Sequence, residues 1–246
     1  MNEDIAKLRG DIDRVDRALL ELVGERLQLS ARVRDAKLRE SGAGEGVWRP
    51  AREESLVREL VAAAEVSPPL VSRIWAELVS ASLAVQGPMR IHVGLEGDRA
   101  QVMRLVRDRF GAALPTVAYP TSSAALAAAG ADAEGVAVVP SPGGMNSWWS
   151  ALCPGGALEH MHILAGLPRI RNADWPDDDW PRAVAVGHAR VEPSGADRWL
   201  VASRTAMDAR LRAEAGAWTL YALDAAPDTG GGKAVIGILP DPLPPA

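Results

Sequence analysis

LRGDIDRVDRALLELVGERLQL, residues 8–29, is the stretch from which the fold follows. Apolar residues within and around it fall at 5, 8, 12, 15, 19 and 22, and again at 29, 33 and 36. This is a seven-residue helical repeat in which the place between 22 and 29 is taken by Arg26. No proline and only Gly10 and Gly24 interrupt it, which predicts one helix from about residue 4 to about residue 40. At 1.5 Å per residue such a helix is about 55 Å long, whereas a compact domain of this size is about 30 Å across. One chain cannot cover it. The bare seam predicts a second copy packed along the first, an interlocked homodimer; a coiled-coil stalk is the other reading of the same heptads.

Working outward, SGAGEG at 41–46 ends the first helix and Pro50 opens a second, with Leu56, Leu60 and Val61 facing inward. A third helix follows Pro68 and Pro69 and carries Leu70, Ile74, Leu78, Ser82 and Val85. Residues 1–87 are therefore expected to be an all-α three-helix domain. After Gly87-Pro88 the texture changes to short β-rich runs (90–95, 135–139, 183–186, 199–203 and 234–239) separated by helical pieces such as Ala-Leu-Ala-Ala-Ala at 125–129. Residues 88–240 are expected to be an α/β domain, with the Asp-Trp-Pro stretch at 174–181 a surface loop and 241–246 a disordered tail.

Composition narrows the function. The chain has 246 residues, 48% hydrophobic and 24% charged, with a formal net charge of -5, so a broad basic surface for nucleic acid is not expected. It holds no apolar run of membrane-spanning length, and MNEDIAKLRGDIDR is no signal peptide. Cys153 is the single cysteine, which fits a cytoplasmic protein without disulfides or a cysteine-based metal site. His92, His160, His162 and His188 show no metal-ligand spacing.

Arg26 in an apolar seam needs an anion. Lys37 lies about three turns further along the same face, about 16 Å away, and Arg9 lies about 25 Å back. An antiparallel partner helix would bring its own Arg9 alongside Arg26. Ser82 and Gln86 share one face of the third helix. Such a site offers cations and a neutral amide to a small polyanion, with arginine forks suited to carboxylates. It supplies no nucleophile and no proton shuttle.

Residues 8–29, Ala36-Lys37, Arg-Pro-Ala-Arg-Glu-Glu at 49–54 and Ser-Ala-Ser-Leu-Ala-Val-Gln at 80–86 together resemble the all-helical chorismate mutases. The resemblance implies an intertwined homodimer, a chorismate substrate, no cofactor, and rearrangement to prephenate in the biosynthesis of phenylalanine and tyrosine. It implies that Arg26 and an Arg9 donated in trans grip the substrate carboxylates, and that Lys37 and Gln86 contact the ether oxygen of the breaking bond. Glu53 would receive the ring hydroxyl, and Arg52 and Ser82 would complete the pocket. Arg49 stands where some members carry an acidic residue that contributes through its backbone.

Residues 89–240 resemble a shortened prephenate dehydratase domain, through Gly-Leu-Glu-Gly-Asp-Arg at 94–99, the strand at 135–140 and Asp-Arg-Trp-Leu-Val-Ala at 197–202. The departures fall on functional positions. Ser141, Pro142 and Gly143 replace the family's Ile-Glu-Asn, and Asp197 replaces the threonine of dehydration. The expected roles are a stabilising or interface module, a sensor of prephenate or aromatic amino acids with Trp148 and Trp149 lining a cleft, or residual dehydratase activity. A dimeric scaffold that binds a carboxylated metabolite without turnover is the non-enzymatic alternative for the whole chain.

Overall fold

The computed structural model describes residues 2–40, 46–171, 180–228 and 230–245. Helix α1 (Asn2–Glu40) runs unbroken for 39 residues, as the heptads predict. Its seam is bare: Leu8, Ile12 and Leu22 are 62%, 59% and 61% exposed, and Ile5, Val15, Leu19, Leu29 and Val33 are exposed as well. Residues 4–22 find no cover within the chain. The second half of α1 lies on α3 (Pro68–Gln86), and α2 (Pro50–Ala63) also packs on α3. Proline at the first positions of α2 and α3 starts each helix.

Apolar periodicity misjudges the inner face of these two helices. The buried residues of α2 are Pro50, Ala51, Glu53, Glu54 and Val57, while Leu56 is exposed and Leu60 and Val61 are only half-buried. In α3 the buried set is Val71, Ser72, Ala76, Ser80, Ser82 and Leu83, while Leu70 and Ile74 are exposed. Small and polar residues face inward because α3 meets α4 (Arg99–Phe110) at close range. A Cβ on Gly111, at the end of α4, would lie 2.7 Å from the Ala76 carbonyl oxygen. The Ser80 hydroxyl accepts from the Ala113 amide at 3.0 Å, pairing a backbone donor just after α4.

The α/β part is one nine-stranded sheet in the order β2-β1-β3-β5-β4-β9-β6-β8-β7. The strands are β1 (Arg90–Val93), β2 (Thr116–Ala118), β3 (Gly135–Pro140), β4 (His162–Leu167), β5 (Ala183–Gly187), β6 (Asp197–Ser203), β7 (Arg210–Ala215), β8 (Trp218–Leu223) and β9 (Lys233–Pro240). Pairings β1–β2, β1–β3 and β4–β9 are parallel; the others are antiparallel. The central strands are apolar throughout because both sheet faces are covered. Ala137, Val139, Val184 and Val186 face a core shared with α5 (Ser122–Gly130) and the 3₁₀ turn Trp148–Leu152. Val136, Val138, Ala183 and Ala185 face a core shared with Val106 and Phe110 of α4, with Leu83 of α3, and with Trp48 just before α2. The chain thus changes texture at Gly87 without a change of core.

Several expectations need correction. Strands β2, β4, β7 and β8 lie outside the apolar runs. Residues 241–245 are not disordered: Leu243 is buried, its amide donates to the Arg169 carbonyl at 2.9 Å, and the Asp241 amide donates to Ala196 at 2.8 Å. Of the loop at 174–181, residues 174–179 lie outside the described residues, but Trp180 and Pro181 are buried rather than on the surface. Trp149 is wholly buried in the first core, and Trp148 donates to the Pro140 carbonyl at 3.0 Å, so this pair is packing rather than a cleft wall. No helix among the described residues is long and apolar enough to cross a membrane.

Cys153 sits in the first core, and burial raises its thiol pKa to about 11 against a smaller lowering by Arg204. It stays a thiol at neutral pH. Iodoacetamide at neutral pH is expected to leave Cys153 unmodified in the native protein and to alkylate it fully in denaturant, read by intact mass; rapid native alkylation would contradict this packing.

Candidate active site

Arg26 keeps its charge in the seam by turning toward α3. Its Nη1 donates to the Leu78 carbonyl at 2.7 Å and to the Ser82 hydroxyl, which itself donates to Leu78 at 2.8 Å. Burial lowers the Arg26 pKa, and the Glu53 carboxylate acts in the opposite direction. Arg26, Ser82 and Glu53, from three different helices, therefore form one electrostatic neighbourhood. One turn beyond Ser82, half-buried Gln86 ends α3. Nearby, Arg34 donates from α1 to the Val85 carbonyl at 3.2 Å, holding together the helix ends that carry Lys37 and Gln86.

Glu53 is also engaged from the α/β part. Arg109 of α4 and Arg169, two residues after β4, both bind its Oε1, the first at 2.5 Å. Trp48 donates from its indole to Oε2 at 3.0 Å. The neighbouring Glu54 Oε1 takes Arg169 Nε at 3.1 Å and lies 2.8 Å from Arg109 Nη2, which is close enough for attraction but is not aligned as a hydrogen bond. All four side chains are essentially inaccessible, at 0% for Arg109, 3% for Arg169, 6% for Glu53 and 4% for Glu54. Burial alone would push the Glu53 pKa up, yet Arg109, Arg169 and the indole hold it below the ordinary value of 4.5. Burial would likewise lower Arg169, but Glu54 and Glu53 outweigh it and its pKa is raised.

The cluster is electrically neutral, which is the condition under which buried charges are tolerated; removing one member leaves an unpaired charge at about 3–5 kcal/mol. The Arg109 guanidinium also lies 5.8 Å from the Trp48 ring centre and 5.2 Å from that of Phe110. Two further bonds join α2 to the α/β part: Ser55 donates to the Ser194 carbonyl and Arg58 to the Asp241 carbonyl, each at 2.8 Å.

The other expected site residues are dispersed. Lys37 and Arg52 are exposed. Arg49 is exposed too and turns toward Glu192, 3.5 Å away, in the α/β part. Arg9 is exposed near the start of α1, about 25 Å along the helix from Arg26 and unable to reach it within one chain. Arg109, Arg169, Glu54 and Trp48 escaped the sequence reading. The only local signal was a pair of adjacent glutamates where a helix should turn inward.

In the α/β part, a cleft of about 1090 Å³ opens where β1 and β3 end, lined among others by Leu95, Gln101, Ser122, Pro140, Asn146 and Arg169. Asp197 is not among its lining residues. Its carboxylate instead accepts from the Ser194 amide at 2.7 Å, the Ser194 hydroxyl at 2.6 Å and the Gly195 amide at 2.9 Å, capping its own turn. His160 and His188 stack at 5.3 Å beside His162, whose pKa is lowered chiefly by burial. Among the described residues no group of three or more His, Cys, Asp or Glu could hold a metal ion.

The long helix lacking cover and the seam arginine set against α2 and α3 belong to the stretch that a comparison with known families picks out: residues 8–87 match the family model of chorismate mutase type II. Over those residues the chain is similar to that family. It is also 26% identical over 178 residues to the bifunctional chorismate mutase/prephenate dehydratase of Pseudomonas aeruginosa, a match covering 69% of this chain and 47% of that relative. The chain therefore spans about half the length of the curated relative it matches. That match is longer than the helical domain and extends into the α/β part. No solved structure matches the chain.

Because the folded pKa of Glu53 lies below 4.5, its pairing contributes fully above that pH and is lost as pH falls through the depressed value. The urea midpoint of the wild type is expected to drop between about pH 6 and about pH 3. Glu53→Gln should start lower at pH 6 and lose less over the same interval. An equal loss in both proteins would show that Glu53 does not carry this acid sensitivity.

Proposed function

We propose that this protein is a homodimeric, cytoplasmic chorismate mutase that converts chorismate to prephenate in aromatic amino acid biosynthesis. The observation that carries the reading is Arg26, held in the seam of α1 against Ser82 and within the field of Glu53, inside a domain that matches this family. The reaction is an intramolecular pericyclic shift, so no nucleophile, proton relay or cofactor is needed. Catalysis consists of holding the compact conformer and stabilising the negative charge that grows on the ether oxygen. In this reading Arg26 and the partner subunit's Arg9 fix the two carboxylates, Lys37 and Gln86 serve the ether oxygen, and Glu53 accepts the ring hydroxyl. Arg52, Ser82 and the Arg49 backbone border the substrate.

The bare seam of α1 supports the dimer. Leaving Leu8, Ile12, Leu19 and Leu22 in water costs about 1.5–3 kcal/mol per side chain relative to burial, and a second α1 is the surface with the matching repeat. Dehydratase activity in the α/β part is not favoured, since Asp197 is spent on its own turn. A sensor without turnover would bind chorismate and leave it unchanged. Incubation with chorismate should yield prephenate, and no phenylpyruvate without acid treatment; phenylpyruvate would establish the bifunctional reading.

Lys37→Ala and Arg26→Ala are each expected to lower turnover by roughly a hundredfold or more while the dimer persists in sedimentation; near-normal rates would refute the assignment. The donated arginine has its own test. Arg9→Ala and Arg26→Ala chains, each inactive alone, should regain about a quarter of wild-type activity when co-expressed in equal amounts, because half the dimers then hold one intact site. Absence of recovery would mean that Arg9 does not act in trans. Gln86 is an amide rather than an acid, so turnover should not require low pH.

A further inference from the structure

We propose that Arg109 and Arg169, both supplied by the α/β domain, are positioning residues of the mutase site, holding the Glu53 carboxylate in the one orientation that receives the substrate hydroxyl. This inference rests on the mutase reading and adds that the site is incomplete without the second domain.

The argument begins with lone pairs. A carboxylate offers about four acceptor positions. On Glu53, Arg109 and Arg169 occupy Oε1, and the Trp48 indole takes one position on Oε2. One acceptor direction is left on Oε2, and the same carboxylate interacts electrostatically with Arg26 of α1. The carboxylate can turn only by breaking charge-assisted bonds in a dry site, so its orientation is fixed before substrate arrives.

Both guanidiniums are themselves anchored. Arg109 lies against the rings of Trp48 and Phe110, and the Arg169 carbonyl accepts from the Leu243 amide. Among the described residues of the helical domain, no fully buried cation stands beside Glu53 and Glu54. The charged and titratable groups facing Glu53 are Arg109 from α4, Arg169 from beyond β4, Arg26 from α1 and its neighbour Glu54. With two arginines against two glutamates the cluster stays ionised. With one arginine, the two carboxylates compete for it, and the carboxylate left without its cation loses what keeps it ionised against burial.

The test is kcat/KM for chorismate against pH in three full-length proteins. Wild type is expected to be flat from pH 8 to pH 5. Arg169→Gln is expected to lose about tenfold over that range, as a one-unit upward shift of a titration dictates. Arg169→Gln combined with Glu54→Gln restores one glutamate to one arginine and should restore a flat profile. A purely structural contact would lower activity at all pH values and would give no such rescue. A flat profile at wild-type kcat/KM in Arg169→Gln overturns the inference and leaves the mutase reading intact. Should Arg169→Gln not fold, Arg109→Gln creates the same imbalance and takes its place: a tenfold acid loss supports the inference, and a flat profile overturns it. A wild type that does not consume chorismate overturns the mutase reading, and this inference with it.

Discussion

Two glutamates and two arginines meet, almost wholly buried, between a helical domain and a sheet, and the rest of the molecule is arranged to make that meeting possible. Glu53 and Glu54 stand on α2, while Arg109 and Arg169 come from α4 and from the end of β4. Neither pair would be tolerated in a dry site alone. The serine and alanine face of α3, the close approach at Gly111 and the returning C-terminal segment bring the four charges together.

This docking explains an asymmetry in the helical domain. Its inward faces toward the sheet are small and polar, while the larger apolar residues of α1, α2 and α3 are left at the surface. A helix domain that was meant to stand alone would turn Leu70, Ile74 and Leu56 inward. Here those residues lie on the side not used for docking. Arg26 and Ser82 stand on the side of the bare seam, and Glu53 on the docked face.

Part of this was legible in the chain. The heptads of α1 predicted its length, and a guanidinium in an apolar seam called for the partners that Arg26 finds in Ser82 and the Leu78 carbonyl. Proline at 50 and 68 marked helix starts correctly because its geometry is local. The inner face of α2 was not legible, since periodicity selects leucines and here the buried positions are acids. Their partners lie 56 and 116 residues along the chain, and no local pattern encodes a contact at that separation. Strand β7 was missed because it is an edge strand rich in Arg210, Arg212 and Glu214, a composition that protects edges and hides them from hydropathy. The tail was misread because proline-rich composition suggested disorder, while one buried residue, Leu243, holds it in place.

The central claim is that the mutase helices and the sheet are one cooperative unit joined through the four buried charges. Native-state hydrogen exchange followed by mass spectrometry across a denaturant series reads this directly. Peptides from α2 and from β3, β4 and β5 are expected to lose protection together, at one shared opening free energy. If α2 opened at clearly lower denaturant while those strands stayed protected, the helical domain would be an independent unit and the account would fail.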